Sequence, residues 1–399
     1  MRILQINTFP YKATGNIMLN LHDVLLKNNI DSYVVWGRGV KKVTNSFSIY
    51  NKFGILLHGL VSRFFDMSGF CSWAATRKLI TYIEEINPSI VHLHNIHGYY
   101  LNISMLFKFL AKKNIKVVWT MHDCWAFTGH CAYFEMAKCS KWQNGCHNCT
   151  QLAGYPKCLL FDNTHKNWIK KKYLYKNVDI TVVCVSNWLK EKVTKSILQD
   201  KKIEMIYNGI DLNVFKPTES KFREKWNIGG KKMILGVANE WTERKGIKDF
   251  EQLAKYIDKS KEIIVIVGLT KKQQRKYRDS FLCIDKTQNL SELVDIYSSA
   301  DVLFNPSVEE TMGMTLVESL ACGTPVVAYD ATALPEVLSF DKTSIVKAHD
   351  IKAAYDKLHL TVKNNEISAK CRKEAQKYEK NMIYNKYISL YRRLENEKD

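Results

Sequence analysis

The segment from Ser307 to Val327, SVEETMGMTLVESLACGTPVV, carries acidic residues and glycines in a spacing that could bind a ligand. Its apolar residues recur at helical spacing over Thr311–Ala321, after an apolar run that predicts a strand. Glu310 and Gly313 would therefore lie where a helix begins at the edge of a sheet. Free backbone N–H groups and the helix dipole make such a position a binding site for an anion.

Glu310 and Glu318 frame this anion site. Ideal helix geometry separates the two residues by about 80° around the helix axis and roughly two turns along it. A carboxylate beside a phosphate is unfavourable unless it accepts hydrogen bonds from hydroxyl groups. The pair therefore indicates a ligand with both a phosphate and vicinal hydroxyls, such as a nucleotide sugar. The alternative is structural, with Glu310 capping the helix and Glu318 lying on a solvated face.

A second candidate group follows the predicted strand Met233–Val237 and ends in Arg244, Lys245 and Gly246. A lysine that follows a strand and faces a helix N-terminus can neutralise a diphosphate as a point charge. Such a cation also stabilises negative charge that develops on a leaving group. The alternative is a basic surface turn, since Lys and Arg number 59 against 40 Asp and Glu.

Four cysteines in a short polar stretch form a third candidate group. Only the last two have the CxxC spacing typical of structural zinc sites, and His130 or His147 could replace one cysteine ligand. A closed zinc site would order this loop without taking part in catalysis. Reduced thiols packed in an ordered loop are an equally favoured alternative. The four residues are Cys131, Cys139, Cys146 and Cys149.

Short apolar runs alternate with helical patterns along the chain in two series. This alternation predicts two doubly wound α/β domains with parallel sheets. Ligands of such sheets lie at the carboxyl ends of the strands, so the two domains are expected to face a shared cleft. The predicted strands are Ile3–Ile6, Tyr33–Trp36, Ile90–Leu93, Val117–Met121, Ile180–Val185, Met233–Val237, Ile263–Val267, Val302–Phe304 and Pro325–Ala328.

A turn signal, NGIDLNVFKP at Asn208–Pro217, divides the two series. We therefore expect an N-terminal domain over residues 1–215, with a Cys-rich loop at 124–158. A C-terminal domain is expected over 216–375. Residues 376–399 are expected to form a helix that packs back on the N-terminal domain.

The composition excludes several classes of protein. The chain has 399 residues, of which 46% are hydrophobic and 25% charged, so collagen-like, low-complexity and disordered proteins are excluded. The formal charge of +19 predicts an acidic partner. No run reaches the roughly 20 apolar residues that cross a bilayer, and the N-terminus lacks signal-peptide features. We therefore expect a cytoplasmic protein with reduced or metal-bound cysteines.

Two segments could contact a membrane. His165–Lys176, HKNWIKKKYLYK, has five lysines and no acidic residue, and Phe53–Phe70 is apolar and slightly amphipathic. A basic, aromatic surface beside an apolar helix suits an anionic membrane and a lipid-diphosphate-linked ligand. The alternatives are a solvated helix face and a core helix, and the core alternative is favoured for Phe53–Phe70 taken alone.

The segment from Glu310 to Pro325 resembles the signature of family 4 glycosyltransferases. The sequence LACGTPVVA, which follows Glu318, is part of this resemblance. NGID at Asn208–Asp211 and the Lys245-Gly246 pair match the same family. In the N-terminal half, VHLHNIHGYY, VVWTMHDCWAFTGHC and GCHNC resemble the branch that includes colanic-acid, capsule and O-antigen glycosyltransferases. The resemblance covers nearly the whole chain and implies the two-domain GT-B fold.

The resemblance implies a retaining enzyme that moves a hexose-type sugar from a UDP- or GDP-linked donor. The acceptor would be a glycan or a polyprenyl-diphosphate-linked acceptor, in bacterial O-antigen, capsule or exopolysaccharide biosynthesis. In the implied front-face substitution the leaving phosphate helps to deprotonate the acceptor, so no nucleophile is assigned. The chain has no Asp-x-Asp motif, and neither a catalytic metal nor a nucleic-acid partner is expected. The protein is expected at the inner face of the cytoplasmic membrane, as a peripheral protein on its anionic surface.

The resemblance also implies roles for individual residues on the donor side. Glu310 would contact hydroxyls of the donor sugar, and Glu318 would hold the ribose hydroxyls. Lys245, with Arg244, would bind the diphosphate. Many relatives carry an arginine six residues before this lysine, where the present chain has Asn239. The backbone N–H groups expected near the donor belong to Gly313, Met314 and Thr315.

In the N-terminal half, the resemblance places His122 beside the reacting sugar, where a positioning role is favoured over general-base catalysis. His94 and His97 would lie on the acceptor side. Gly15, in the loop after the first strand, would approach the diphosphate. That loop reads ATGN where many relatives have two adjacent glycines.

Two other functions fit part of the sequence. A GT-B epimerase or hydrolase acting on the same donor would turn over nucleotide sugar without an acceptor. A basic, zinc-containing nucleic-acid-binding protein would explain the charge but leaves Glu310 and Glu318 without a role. No known nucleic-acid-binding motif is visible in the chain.

Overall fold

The computed structural model describes residues 1–397 and divides into two compact units. The first unit comprises Met1–Tyr207 together with the chain from Asn381 onward, and the second comprises Asn208–Lys380. Each unit is built on a parallel sheet with helices between the strands, so the predicted pair of α/β domains is confirmed. Positions 398 and 399 of the helix expected at the C-terminus lie outside the described residues.

The first unit contains a seven-stranded sheet in the order β3-β2-β1-β4-β5-β6-β7, and neighbouring strands are parallel. The central strands are apolar and buried, as parallel strands covered on both faces must be. Its strands are β1 (Arg2–Asn7), β2 (Asp31–Trp36), β3 (Ser46–Ser48), β4 (Ile90–Leu93), β5 (Lys116–Met121), β6 (Ile180–Cys184) and β7 (Lys202–Met205). Its first helices are α1 (Lys12–Lys27), α2 (Lys52–Phe65), α3 (Trp73–Ile86), α4 (Ile103–Lys112), α5 (Thr164–Lys176) and α6 (Asn187–Val193).

The second unit contains a six-stranded parallel sheet in the order β10-β9-β8-β11-β12-β13. Its strands are β8 (Lys232–Val237), β9 (Glu262–Val267), β10 (Leu282–Ile284), β11 (Val302–Asn305), β12 (Val326–Tyr329) and β13 (Ile345–Val346). Its helices are α7 (Phe222–Lys225), α8 (Ile247–Leu253), α9 (Lys271–Tyr277), α10 (Leu290–Ser299), α11 (Met314–Ala321), α12 (Leu334–Val337), α13 (Ile351–Leu360) and α14 (Asn365–Ala375).

The last helix, α15 (Lys380–Asn396), packs into the core of the first unit. Two of its tyrosines reach the sheet with their hydroxyls. The hydroxyl of Tyr387 lies 3.0 Å from Thr120 Oγ1, and that of Tyr391 lies 2.6 Å from His92 Nδ1. Thr120 and His92 each lie two residues before a histidine that follows the strand. The helix therefore braces the two strands that carry the candidate histidines.

The four strands that the apolar runs did not predict are β3, β7, β10 and β13, and these form the edges of the two sheets. Edge strands are covered less completely, so their sequences lack a continuous apolar run. In the part of the chain that the structure describes, every helix is too short or too polar to pass through a bilayer.

Candidate functional site

The turn between β11 and α11 is built to present backbone N–H groups. Gly313 precedes the helix with a φ of +82°, a left-handed conformation that favours glycine, and a Cβ there would lie 2.7 Å from a methyl of Leu334. Asn305, the last residue of β11, donates from Nδ2 to Thr315 Oγ1 at 3.0 Å. The same side chain accepts from the N–H of Ser307 at 3.0 Å. These contacts fix the first turn of α11, where the N–H of Leu316 donates to the carbonyl of Gly313 at 3.0 Å. The first N–H groups of a helix have no partner one turn earlier within it.

Helix α11 begins at Met314, three residues later than predicted from Thr311. The prediction was wrong because the left-handed Gly313 breaks the helical path that the apolar spacing suggested. This later start of α11 favours the binding of an anion. Gly313, Met314 and Thr315 become the cap and the first two residues of the helix, where N–H groups point out of its end.

Lys245 and Glu310 form an ion pair through Nζ and Oε1. Their side chains are only 21% and 14% exposed. Burial lowers the pKa of Lys245, although the carboxylate opposes this shift. Burial alone would raise the pKa of Glu310, but the Lys245 and Arg244 cations outweigh it and hold that pKa below its ordinary value. Each charge of the pair thus stabilises the other against burial, and the ammonium of Lys245 lies where a stronger anion could replace the carboxylate.

Arg244 lies against the loop that follows β11. Its guanidinium donates to the carbonyl of Glu309, and its own carbonyl accepts from the N–H of Val308 at 3.0 Å. Gly246 brings this turn close, since a Cβ there would lie 2.4 Å from the carbonyl oxygen of Pro306. The structure thus brings the predicted basic turn and the acidic segment together, because β8 and β11 are neighbours in the sheet.

Glu318 lies one turn into α11 and is half-buried. The hydroxyl of Tyr297 donates to its Oε2 at 2.8 Å. Burial raises the pKa of Glu318 to about 7, and the Tyr297 hydrogen bond only partly offsets this. A carboxylate in this state gains from further hydroxyl donors. Tyr297 was not predicted, since it stands among the apolar residues of α10.

In the first unit, His94 follows β4 and His122 follows β5, and these strands are neighbours. His94 Nδ1 lies 3.1 Å from His122 Nε2, and the rings stack with centroids 5.4 Å apart. His94 Nε2 lies 3.2 Å from Gln5 Oε1. Burial lowers the pKa of His122 to about 4 and that of His94 well below its ordinary value. Both imidazoles are therefore neutral at physiological pH.

His97 pairs with Asp123, a residue that the sequence analysis did not select. His97 Nε2 lies 2.7 Å from Asp123 Oδ2, and its Nδ1 lies 2.9 Å from the hydroxyl of Tyr155. Burial alone would raise the pKa of Asp123, but His97 and the N–H of Trp125 lower it. The carboxylate thus orients the imidazole. The one available signal was that Asp123 directly follows His122 at the end of a predicted strand.

Gly15 lies in the first turn of α1, so its placement in the loop after the first strand was wrong. The helix starts at Lys12, which has a φ of +66°. A Cβ at Gly15 would lie 2.6 Å from the carbonyl oxygen of Phe9. Glycine is therefore required here for close packing of the helix on the preceding turn.

The four cysteines of the predicted zinc site, Cys131, Cys139, Cys146 and Cys149, line one small cavity with His130 and His147. Burial raises the pKa of the Cys146 thiol to about 11, and no disulfide links any of the chain's eleven cysteines. His130 Nδ1 lies 2.5 Å from Asp66 Oδ1, while the buried Nε2 of His130 has no partner among residues 1–397.

Within the described residues, however, no three His, Cys, Asp or Glu side chains are arranged to hold a metal ion as they stand. Zinc would require these side chains to move closer together. Reduced thiols require no such movement. The zinc site therefore stays a prediction, with reduced thiols as its alternative.

Two family models match adjoining parts of the chain. The model described as "Glycosyltransferase Family 4" matches residues 15–214. The model described as "Glycosyl transferases group 1" matches residues 218–378. Together they match a large part of each structural unit and include every site residue predicted from the sequence.

Curated relatives include two named glycosyl transferases and one uncharacterized protein. The putative colanic acid biosynthesis glycosyl transferase WcaC of Escherichia coli K12 is 28% identical over 230 residues, which covers 53% of this chain and 55% of that protein. An uncharacterized 41.2 kDa protein in the cps region of Klebsiella pneumoniae is 22% identical, with 95% of this chain and 96% of that protein covered. The N,N'-diacetylbacillosaminyl-diphospho-undecaprenol alpha-1,3-N-acetylgalactosaminyltransferase of Campylobacter jejuni is 27% identical, with 49% and 56% covered. The chain thus spans about half the length of two of these three relatives.

Solved structures share the fold over nearly the whole chain. Sucrose-phosphate synthase from Thermosynechococcus elongatus matches with a TM-score of 0.71 at 16% identity and covers 98% of each chain. Anabaena HepE in complex with UDP and glucose matches with a TM-score of 0.65 at 14% identity, also over 98% of each chain. These likenesses confirm the predicted GT-B fold.

Proposed function

Since the chain belongs to glycosyltransferase family 4, we propose that it transfers a hexose-type sugar from a nucleotide-sugar donor to a lipid-diphosphate-linked glycan, with retention of configuration. The product would be a bacterial surface polysaccharide. Two relatives support this proposal. The Escherichia coli relative is named for colanic acid biosynthesis, and the name of the Campylobacter jejuni relative includes a diphospho-undecaprenol acceptor. We also propose that the protein acts as a peripheral protein at the cytoplasmic side of an anionic membrane, where such acceptors are presented.

The half-buried carboxylate of Glu318, on the same helix whose N-terminus presents free N–H groups, carries the donor assignment. Its pKa is raised to about 7, and Tyr297 supplies one hydrogen bond where a carboxylate can accept several. The vicinal hydroxyls of a ribose would supply the others. A diphosphate at the N-terminus of α11 would then be the anion that this helix end favours.

Lys245 would change partners when the donor binds. In the free protein its ammonium pairs with Glu310. A diphosphate carries more charge than a single carboxylate and would compete for the cation, which frees Glu310 to accept hydrogen bonds from sugar hydroxyls. Lys245, with Arg244 beside it, would then stabilise the charge that develops on the leaving phosphate.

His122 would position the reacting sugar. Its ring is neutral and its Nε2 is held by His94, which fixes the ring plane. A fixed neutral imidazole orients a hydroxyl through one hydrogen bond. The acceptor hydroxyl would lose its proton to an oxygen of the leaving phosphate, so the ring need not take that proton. His97, held by Asp123, would contact the acceptor.

Calorimetric titration of UDP and GDP, without added metal, tests the donor site. HepE, a structural neighbour, was solved with UDP and glucose, so UDP is the first ligand to use. We expect micromolar binding of one nucleotide to the wild type and at least a ten-fold loss in Glu318→Ala, about 1.4 kcal/mol. Glu219→Ala, an exposed glutamate of the same unit, is the control. Equal affinity in Glu318→Ala and the wild type would refute the assignment.

A nucleotide sugar hydrolysed or epimerised without acceptor would instead support the alternative enzyme. Release of free nucleotide is therefore measured with the bound donor, with and without a polyprenyl-diphosphate glycan. Transfer that requires the glycan supports the proposal. A salt-sensitive gel shift with nucleic acid, in a protein that binds neither nucleotide, would favour the nucleic-acid alternative.

A further inference from the structure

Helix α2 buries polar residues and exposes apolar ones, which reverses the ordinary pattern of a surface helix. Its buried side chains are those of His58 and Ser62. Phe53 is 75% exposed and Leu56 is 61% exposed. At 100° per residue, the apolar row falls within an arc of about 100° on the side opposite to the buried residues. The row, named here the α2 row, consists of Phe53, Leu56, Leu57, Leu60 and Phe64.

The inward face of α2 is fixed by His58. Its Nδ1 lies 2.8 Å from Ser72 Oγ, and the N–H of Gly69 donates to its Nε2 at 3.0 Å. Burial lowers the pKa of His58 to about 4, so the ring is neutral and its hydrogen bonds persist at physiological pH. The helix cannot rotate to hide the α2 row without breaking these bonds.

The loop at residues 159–161 extends the apolar surface beyond the end of α2. The N–H of Leu159 donates to the carbonyl of Arg63 at 2.7 Å, and the N–H of Phe161 donates to that of Phe64 at 3.1 Å. The Phe161 ring stacks on Phe65 with centroids 5.4 Å apart. These bonds satisfy the last carbonyls of α2, so the loop and the helix form one continuous surface. The exposed apolar residues of the loop are Leu159, Leu160 and Phe161.

Basic side chains border this surface. Lys52 and Arg63 are exposed on one margin of α2, and the helix has no acidic residue. Helix α5 adjoins it, since Asn163 Nδ2 donates to the carbonyl of Phe65 at 2.8 Å. Of the five lysines of α5, Lys171 is buried on the carbonyls of the preceding loop. The other four are exposed: Lys166, Lys170, Lys172 and Lys176.

We propose that the α2 row and the 159–161 loop dock on an anionic lipid bilayer, with the apolar side chains at the boundary of headgroups and acyl chains. The exposed lysines of α5 would face the lipid phosphates. A second copy of the chain fits less well, because a two-fold interface would place these basic margins against each other. This inference rests on the proposed function in one respect, which is that the docking surface would give the enzyme access to a lipid-linked acceptor.

Cosedimentation of the full chain with vesicles tests this inference without donor or acceptor. The vesicles are pure phosphatidylcholine, or phosphatidylcholine with roughly one third phosphatidylglycerol. We expect binding to the anionic vesicles at low salt, and a loss of at least about ten-fold in the double variant Leu56→Ser with Leu60→Ser. Both leucines are exposed, so the variant is expected to fold. Leu360→Ser with Val362→Ser, which alters exposed apolar residues of the other unit, should bind like the wild type.

The charge is tested separately. Lys170→Gln with Lys172→Gln should weaken binding to anionic vesicles and leave binding to neutral vesicles unchanged. Lys272→Gln with Lys286→Gln removes two exposed lysines from the other unit and should have a smaller effect. Added salt should weaken binding of the wild type, because it screens the lysines from the lipid charge.

Several results would overturn the inference. One is absence of wild-type binding to anionic vesicles at low salt, and another is equal binding by the Leu56 and Leu60 double variant. A wild-type dimer in sedimentation velocity, which that variant converts to monomer, would show that a second copy covers the surface. Vesicle binding without sugar transfer would refute the proposed function alone, and transfer to a soluble acceptor without vesicle binding would refute only the docking surface.

Discussion

Replacing Glu318 by glutamine is expected to stabilise the free protein above neutral pH and to weaken nucleotide binding. The pKa of this carboxyl is raised from 4.5 to about 7 by burial. Between these values the folded state binds more protons than the unfolded state, so the stability contributed by this group falls as the pH rises. The full loss of folding free energy is reached above about pH 7, where the half-buried carboxyl of Glu318 must ionise.

The magnitude follows from the size of the shift. A pKa raised from 4.5 to about 7 corresponds to about 3 kcal/mol at roughly pH 8. Solvent screening of a half-buried side chain reduces this, so we expect about 1–3 kcal/mol of stabilisation in Glu318→Gln. Near pH 5 the folded carboxyl is protonated and the gain should shrink to about 1 kcal/mol or less. The glutamine oxygen can still accept the hydrogen bond from Tyr297.

Urea unfolding of wild type and Glu318→Gln at the two pH values provides the measurement, with UDP or GDP titration of the same samples. A purely structural glutamate would make the variant less stable at both pH values. The reasoning is refuted if the variant is destabilised near pH 8, or if it is stabilised there and binds nucleotide as tightly as the wild type. A variant that is more stable than the wild type but binds nucleotide more weakly would show that Glu318 lowers the stability of the free protein and serves ligand binding.

Three further predictions concern other parts of the molecule. Gly313→Ala should lower the free energy of unfolding by about 1–3 kcal/mol, since a Cβ would meet Leu334 in a left-handed backbone; an unchanged urea midpoint would contradict this. His122→Ala should lower kcat by about a hundred-fold and leave nucleotide affinity within about two-fold, which steady-state kinetics and calorimetry test together. The zinc interpretation expects about one zinc per chain by elemental analysis, lost in Cys146→Ser with Cys149→Ser; purified wild type that contains no zinc and melts unchanged in chelator would favour reduced thiols.

The local sequence predicted the features that depend on a single segment. The continuous apolar runs marked the central strands, because a strand buried on both faces has to be apolar throughout. The residues after those strands lie near one another within each unit, since parallel strands bring their carboxyl ends to one edge of the sheet. Lys245 and Glu310 meet for this reason, although 65 residues separate them in the chain.

The features that sequence reasoning missed depend on packing between distant segments. The partner of Glu318 is Tyr297, which looks like any apolar helix residue until α10 packs beside α11. The carboxylate that orients His97 lies 26 residues away and is fixed by the adjacency of β4 and β5. Neither segment by itself identifies the residue that it will contact, although the position of Asp123 directly after His122 was a signal.

By itself, the sequence determined the two α/β units, the central strands and the position of the basic and acidic motifs, because periodicity and turn residues are properties of short segments. Only the tertiary structure decided which surfaces of those segments face solvent. The sequence analysis favoured a core helix for Phe53–Phe70. In the structure, helix α2 exposes the α2 row, because the hydrogen-bond partners of His58 lie on its inner side. Lys171, one of five lysines in a basic run, is buried because backbone carbonyls of another loop accept its hydrogen bonds. Burial depends on what packs against a residue, and that is set by the whole chain.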